Sequence, residues 1–324
     1  MNKKKLFSIR TIAFALILTM TLPLAACGSK PAETSSAAAS SEAPSVQESS
    51  VAEAAPAKIT PDTQKKLDEA KGTNPEVVSW ISIPNTNIDY PVLQSLEDNY
   101  KYESKDLNGK KTALDASKMD KDVAKNLGGT KALVGAIYFD AKDNVSLTKT
   151  EASKNMIIYG HNWTNIVEPF RIGNQKDYDV MFAQLKSYTD ESFAKTNPYI
   201  YLSTKGETQV YKVFSVVYFN AFCKNYITPN PSDDEYKKLL ADSQARSLYK
   251  YNTEVSTGDN IISLITCSRK YPKNVTQGNG FNIQRFAVLA RLLRQGETDK
   301  DPVTVTKNTG NLDPKWTMKS FSLS

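Results

Sequence analysis

Short apolar and β-branched runs, separated by clusters of Gly, Pro, Asn and Asp, dominate the chain from about residue 75 to 293. Eight of them read as strands: 80–83, 88–93, 136–140, 156–160, 199–203, 209–220, 261–266 and 285–293. Pro84-Asn85-Thr86-Asn87, between the first two, predicts a hairpin turn. Helical spacing is rarer. Thr60 followed by Pro61 and Asp62 predicts a capped helix over about 61–72. Met181, Leu185 and Tyr188 recur at helical intervals and predict a second helix over 177–189. Ser232-Asp-Asp-Glu235 is a capping box, and Tyr236, Leu239 and Leu240 mark one face of the helix it opens, running to about Tyr249. Eight strands with few helices predict a mainly β fold, a barrel or sandwich with an N-terminal helix and helices inserted between strands.

The ends of the 324-residue chain follow other patterns. Residues 1–26 read as an export signal: Lys3, Lys4, Lys5 and Arg10 precede an uncharged, mostly apolar stretch over 11–23. Leu24-Ala25-Ala26-Cys27-Gly28 resembles a bacterial lipobox, in which the signal is cut before a cysteine that becomes lipidated. A plain secretory signal and an uncleaved membrane anchor are the alternatives, and all three put the rest of the chain outside the cytoplasm. Residues 27–58 are rich in Ser, Ala, Glu and Pro and lack aromatics, so they cannot bury enough apolar surface to order themselves. They read as a tether with a root-mean-square span of roughly 30 Å. Residues 59–295 then form one domain, and 296–324 a C-terminal tail.

Charge changes the picture little. The formal net charge is +6, and removing the four positive charges of residues 1–26 leaves +2. That balance gives no footprint for nucleic acid. With Cys27 acylated, Cys223 and Cys267 remain, either as one disulfide or as two free thiols. One histidine, few cysteines and no ligand-spaced cluster predict neither metal nor cofactor.

Scarcity sharpens the search for chemistry. His161 is the only histidine and follows a β run through Gly160, whose missing Cβ allows an abrupt turn. Cys267 ends the run 261–266, where a sulfur is positioned yet partly exposed. Arg285 heads the next strand. A catalytic thiolate needs nearby positive charge and donors for an oxyanion, and the rigid fork of arginine suits an oxyanion better than lysine does. Arg291 and Arg294 compete for that role on the same strand.

In this order and spacing the residues resemble the class B sortases. The likeness runs over most of residues 75–293: Asn74 to Val92 at the first strands, Gly135-Ala-Ile-Tyr-Phe-Asp140, Ile158-Tyr-Gly-His161-Asn162, Leu264-Ile-Thr-Cys267 and Arg285-Phe-Ala-Val288. The resemblance implies an eight-stranded sortase-type barrel with His161, Cys267 and Arg285 as the catalytic set and Asn99, Tyr226, Ile227 and Thr266 along the substrate groove. It implies a membrane-anchored enzyme whose thiolate attacks a Thr carbonyl in a C-terminal sorting motif of a surface protein. The thioester would pass to an amine of peptidoglycan or of a lipid-linked precursor. Two rivals are a non-catalytic lipid-anchored binding or assembly protein on the same barrel, and a hydrolytic cysteine protease. Departures from the family pattern are Ile265 where a Ser often stands, the 18 positions from Cys267 to Arg285, an insertion at about 163–179, and anchorage through a lipidated Cys27 rather than a transmembrane segment.

Overall fold

Strands form where β-branched and aromatic residues crowd between turn residues. In the computed structural model they are β1 (Ala57–Lys58), β2 (Val77–Ser82), β3 (Asp89–Leu93), β4 (Ile137–Phe139), β5 (Asn155–Tyr159), β6 (Tyr199–Thr204), β7 (Glu207–Asn220), β8 (Tyr249–Tyr251), β9 (Ile261–Cys267), β10 (Gln277–Gly278), β11 (Phe281–Asn282), β12 (Gln284–Leu292) and β13 (Val305–Lys307). The described residues are 51–114, 133–146, 151–163, 180–272, 277–278, 281–317 and 319–323. The predicted signal, Cys27, most of the tether and the insertion at 164–179 lie outside them. Helices α1 (Pro61–Thr73), α2 (Lys101–Ser104), α3 (Glu191–Thr196) and α4 (Asp233–Arg246) connect the strands.

The eight strands expected from the sequence make a closed barrel in the order β7-β12-β9-β5-β4-β3-β2-β6, with β6 pairing back onto β7. Pairs β3–β4 and β5–β9 are parallel and the other barrel pairs antiparallel. Period two sorts the side chains. Met156, Ile158, Ile262, Leu264, Phe286 and Val288 fill the interior. Ile157, Ile261, Ile265, Ala287 and Leu289 belong to a second buried cluster on the outer face, covered by Tyr236, Leu239 and Leu240 of α4. A third cluster joins Leu67 and Ala70 of α1 to Trp80, Leu93 and Tyr138. A sheet apolar on both faces is what continuous apolar strands predict.

Three expectations change. The segment 177–189 is a 3-10 helix over Ala183–Thr189 in its described part, and Met181 adopts a positive φ of 54°. Ala183 to Tyr188 are all buried, Gln184 and Lys186 included, so the segment is enclosed on all sides and not an amphipathic helix with one apolar stripe. Helix α4 begins at the predicted capping box but ends at Arg246, because Ser247 leaves helical geometry and Tyr249 enters β8. Residues 51–58 do not hang free: Ala54 N donates to Leu293 O at 2.9 Å, Gln295 N donates to Ala52 O at 2.8 Å, and β1 pairs with Glu207 and Thr208. Polar, Ala-rich chain can still pair its backbone with an open strand edge, which composition does not report. Among the described residues no helix is long and apolar enough to cross a membrane.

Candidate active site

Strand register and the turn after β5 bring the three expected side chains to one cleft. Strands β5 and β9 run parallel with Tyr159 beside Ile265, and His161, two residues past the end of β5, lines the same cleft as Cys267, two residues past Ile265. The turn is pinned there by Gly160 N donating to Ile265 O (3.2 Å), Thr266 Oγ1 donating to Gly160 O (2.7 Å) and Asn162 Nδ2 donating to Cys267 O (3.3 Å). On the other side, Cys267 is paired directly with Arg285 across the antiparallel β9–β12 ladder. Neighbouring strands lie about 4.8 Å apart, and residues level with one another share a face. Cys267 and Arg285 therefore stand side by side on one face of the barrel rim, and His161, past the end of β5, lines the same cleft.

Close packing aims the imidazole. His161 Nε2 lies 2.6 Å from the carbonyl oxygen of Glu103. A carbonyl can only accept, so in the neutral ring the proton sits on Nε2 and Nδ1 is left as the base. The Trp163 ring packs at 4.9 Å and 36°. Gly135, with φ +63°, backs the ring so tightly that a Cβ there would come within 2.9 Å of Cδ2. Gly160 has a different reason from the abrupt turn expected of it: a Cβ would meet Ile137 Cδ1 at 2.5 Å and Phe182 at 2.7 Å.

Burial pushes the His161 pKa below its ordinary 6.5, and the positive charge of Arg285 pushes the same way against the hydrogen bond to Glu103. The unfolded chain then binds more protons than the folded one as pH falls below 6.5, so the fold loses stability in that direction. With one histidine in the chain, a histidine-selective NMR titration reads a single curve. We expect a midpoint below 6.5 that moves up in Arg285→Ala; a midpoint above 6.5 would show that solvent or an anion, and not desolvation, governs this half-buried ring.

The three side chains border a cleft of about 660 Å³ that also takes in Asn99, Tyr100, Tyr138, Tyr159, Phe222 and Ile227. Cys267 is partly exposed in it, whereas Cys223 is buried. Both thiols are free, which removes the disulfide alternative. Burial pushes the Cys223 thiol up to about 11, so it stays protonated and inert. Arg285 Nη1 donates to Asn282 O and Gln284 O, each at 3.0 Å, and no ion pair among the described residues engages it. Its two rivals are otherwise occupied. Arg291, six residues or about 20 Å along the strand, forms two bonds to Glu297 at 2.5 and 2.6 Å, and Arg294 pairs with Asp259 at 2.8 Å. Burial raises the Glu297 pKa, yet the Arg291 bonds hold it down at about 2.

The expected groove residues divide. Asn99 and Ile227 line the cleft. Asn99 is held by donating to Asp140 Oδ2 (3.0 Å) and accepting from Ala141 N (2.7 Å). Thr266 also borders it, but its hydroxyl serves the Gly160 carbonyl. Tyr226 does not reach the cleft: it is 1% exposed, stacks on Phe219 at 4.5 Å and donates to Asp242 at 2.8 Å. A loop alignment places a residue along the chain without saying which way its ring turns. The Glu103 carbonyl, the Gly135 contact and the Tyr159–Asp140 bond of 3.2 Å were not anticipated. Gly135 and Asp140 bound the Gly-Ala-Ile-Tyr-Phe-Asp segment, the one signal that pointed towards them. Among the described residues no group of three or more His, Cys, Asp or Glu side chains is placed to hold a metal ion.

Comparison with known proteins agrees with this architecture. The sortase domain family matches residues 81–292. Sortase B of Listeria monocytogenes is 28% identical over 216 residues, covering 66% of this chain and 71% of the relative. The X-ray structure of Clostridium perfringens sortase B superposes with a TM-score of 0.50 at 28% identity, covering 70% of this chain and 98% of that one. The Staphylococcus aureus sortase B–substrate complex shares the fold at 22% identity, with a TM-score of 0.51 over 71% of this chain and 86% of that one.

Proposed function

This chain belongs to the sortase family and is a cysteine transpeptidase of the class B type, and we propose that Cys267, His161 and Arg285 carry its reaction on surface proteins that bear a sorting signal. The observation that supports this most is the convergence of one thiol, one imidazole and one guanidinium on one cleft, Cys267 and Arg285 paired across β9–β12 and His161 just past the end of the neighbouring β5.

The chemistry follows from what each group can do. Cys267 Sγ attacks the carbonyl carbon of the scissile peptide bond, and its proton goes to Nδ1 of His161, which burial keeps neutral near pH 7. Arg285 and a backbone N–H stabilise the oxyanion. As the C–N bond breaks, the imidazolium gives its proton to the leaving amine, and a thioester remains on Cys267. An incoming amine attacks the thioester and loses a proton to His161, which returns one to the departing sulfur. Peptide plus amine gives a new amide plus the released amine, with the enzyme regenerated. Water in place of the amine gives hydrolysis.

Incubation with sorting-signal peptides, with and without an amine such as triglycine, tests the reading. We expect a thioester on Cys267 by intact mass, and amide product that grows with amine at the expense of acid. Acid alone at every amine concentration would make the chain a protease, and no thioester with any peptide would favour the binding-protein alternative. The lipobox supports anchorage on the outer face of the cell membrane through a lipidated Cys27, with a peptidoglycan or lipid-linked precursor amine as acceptor. Membrane fractions should then lose the protein in Cys27→Ala, and a variant that stays membrane-bound would point to an uncleaved anchor.

A further inference from the structure

We propose that the C-terminal segment, residues 313–317 and 319–323, is a positioning strap that holds the cleft wall of Ala221, Phe222 and Ile227 in place and so sets the affinity for the peptide substrate. The segment lies outside the family domain, which ends at residue 292, and its role rests on the transpeptidase reading above.

The route of the chain can be followed bond by bond. Strand β13 pairs with β8, then Asn308 N donates to Leu248 O at 2.9 Å and Leu312 N donates to Ala245 O at 3.0 Å. Arg246, the last residue of α4, donates to the Asp313 carbonyl. This brings the segment behind the turn that follows β7. Asn220, 2% exposed, gives its side-chain amide to the carbonyls of Lys315 (3.2 Å) and Thr317 (2.7 Å). Phe321 N donates to Phe222 O at 3.1 Å, and Lys224 N donates to Phe321 O at 2.9 Å. Leu323 N donates to Asn225 Oδ1 at 2.7 Å. Phe321 and Leu323 also pack on the cluster that holds Cys223.

Phe222 is therefore shared: it lines the cleft while its carbonyl accepts from the strap. The turn it belongs to has only a four-residue 3-10 helix, Lys224–Ile227, of its own. Without the strap, the bonds it makes to the side-chain amide of Asn220, the carbonyl of Phe222 and the N–H of Lys224 are lost, and the native position of the wall is less favoured. The reacting groups stand at the end of β9, near the start of β12 and just past β5, and the ladders of these strands do not include the strap. A looser wall weakens binding of substrate and transition state alike, so it raises KM more than it lowers kcat.

The experiment compares the full chain with one that ends at Leu312. Four quantities are read: KM and kcat for a sorting peptide, the rate at which a maleimide modifies Cys223 by peptide mapping, and the unfolding temperature. In the truncated chain we expect KM to rise about tenfold with kcat within about threefold. Cys223, 2% exposed in the intact protein, should become at least about tenfold more reactive. A synthetic peptide of residues 313–324 should reverse both changes. Asn220→Ala in the full chain removes two of the strap bonds, and with them the bond from Phe222 N to Asn220 Oδ1 (2.9 Å), while keeping the strap, and should move KM and Cys223 reactivity the same way by less. A reactive Cys223 with unchanged KM, or a loss confined to kcat, overturns the proposal; so does Asn220→Ala with both quantities unmoved. If no sorting peptide is cleaved by the full chain, it is the transpeptidase reading that fails, while Cys223 modification still reports whether the strap covers the wall.

Discussion

Replacing Cys267 by Ala is expected to abolish thioester formation and lower turnover by a factor on the order of 10⁴ or more, the scale of losing the nucleophile of an acyl-transfer site. The fold should be indifferent. Cys267 closes β9 at the rim with its sulfur partly exposed, so its removal leaves no sealed cavity, and the stability change should stay within about 0.5 kcal/mol. Cys223→Ala is the informative control. Its thiol is buried among Phe214, Phe219 and Tyr226 and protonated by burial, so the variant should lose about 1 kcal/mol of stability yet still form a thioester. Intact-mass trapping with a sorting peptide, alongside thermal unfolding, separates the two. Trapping that survives in Cys267→Ala, or vanishes equally in Cys223→Ala, would assign the nucleophile wrongly here.

The contrast between these two cysteines shows which parts of the molecule are legible in sequence. All eight barrel strands can be read from apolar runs because burial on both faces leaves few polar positions along them, Ser79, Lys212, Ser215 and Ser263 being buried exceptions. The site is legible for a related reason. His161 lies two residues past β5, Cys267 is the last residue of β9 and Arg285 the second of β12, so each motif falls at a strand boundary. What sequence does not carry is contact between segments remote along the chain. The Glu103 carbonyl that orients His161 is 58 residues away, and a carbonyl has no residue type. The failures at 177–189 and Tyr226 have the same origin. Lys186 and Gln184 look like the polar face of a helix until the surrounding barrel encloses them, and the Tyr226 ring turns away from the cleft to stack on Phe219. The tail from residue 313 has little periodicity, since it is held largely through backbone groups that any sequence possesses.

Arg285→Ala should cost on the order of 10²–10³ in kcat, about 2.7–4 kcal/mol of transition-state stabilisation, with a much smaller change in KM. Charge develops on the substrate oxygen only as the carbonyl becomes tetrahedral, so a cation aimed there acts on the barrier and not on binding. The structure favours Arg285 for this task on three grounds. It is the cross-strand partner of Cys267, its Nη1 is anchored by the carbonyls of Asn282 and Gln284, and it forms no ion pair among the described residues. Arg291 and Arg294 are committed to Glu297 and Asp259. Lysine keeps the charge but loses the fork and its two-point anchoring, so Arg285→Lys should recover only part of the loss. The same substitution carries a second signature. Arg285 helps to depress the His161 pKa, so the acidic limb of the kcat/KM profile should move to higher pH in Arg285→Ala and stay nearer its original position in Arg285→Lys. A loss confined to KM would make Arg285 a substrate-binding residue. Unchanged kinetics with a shifted acidic limb would leave it tuning His161 electrostatically, and the oxyanion would then depend on backbone donors alone.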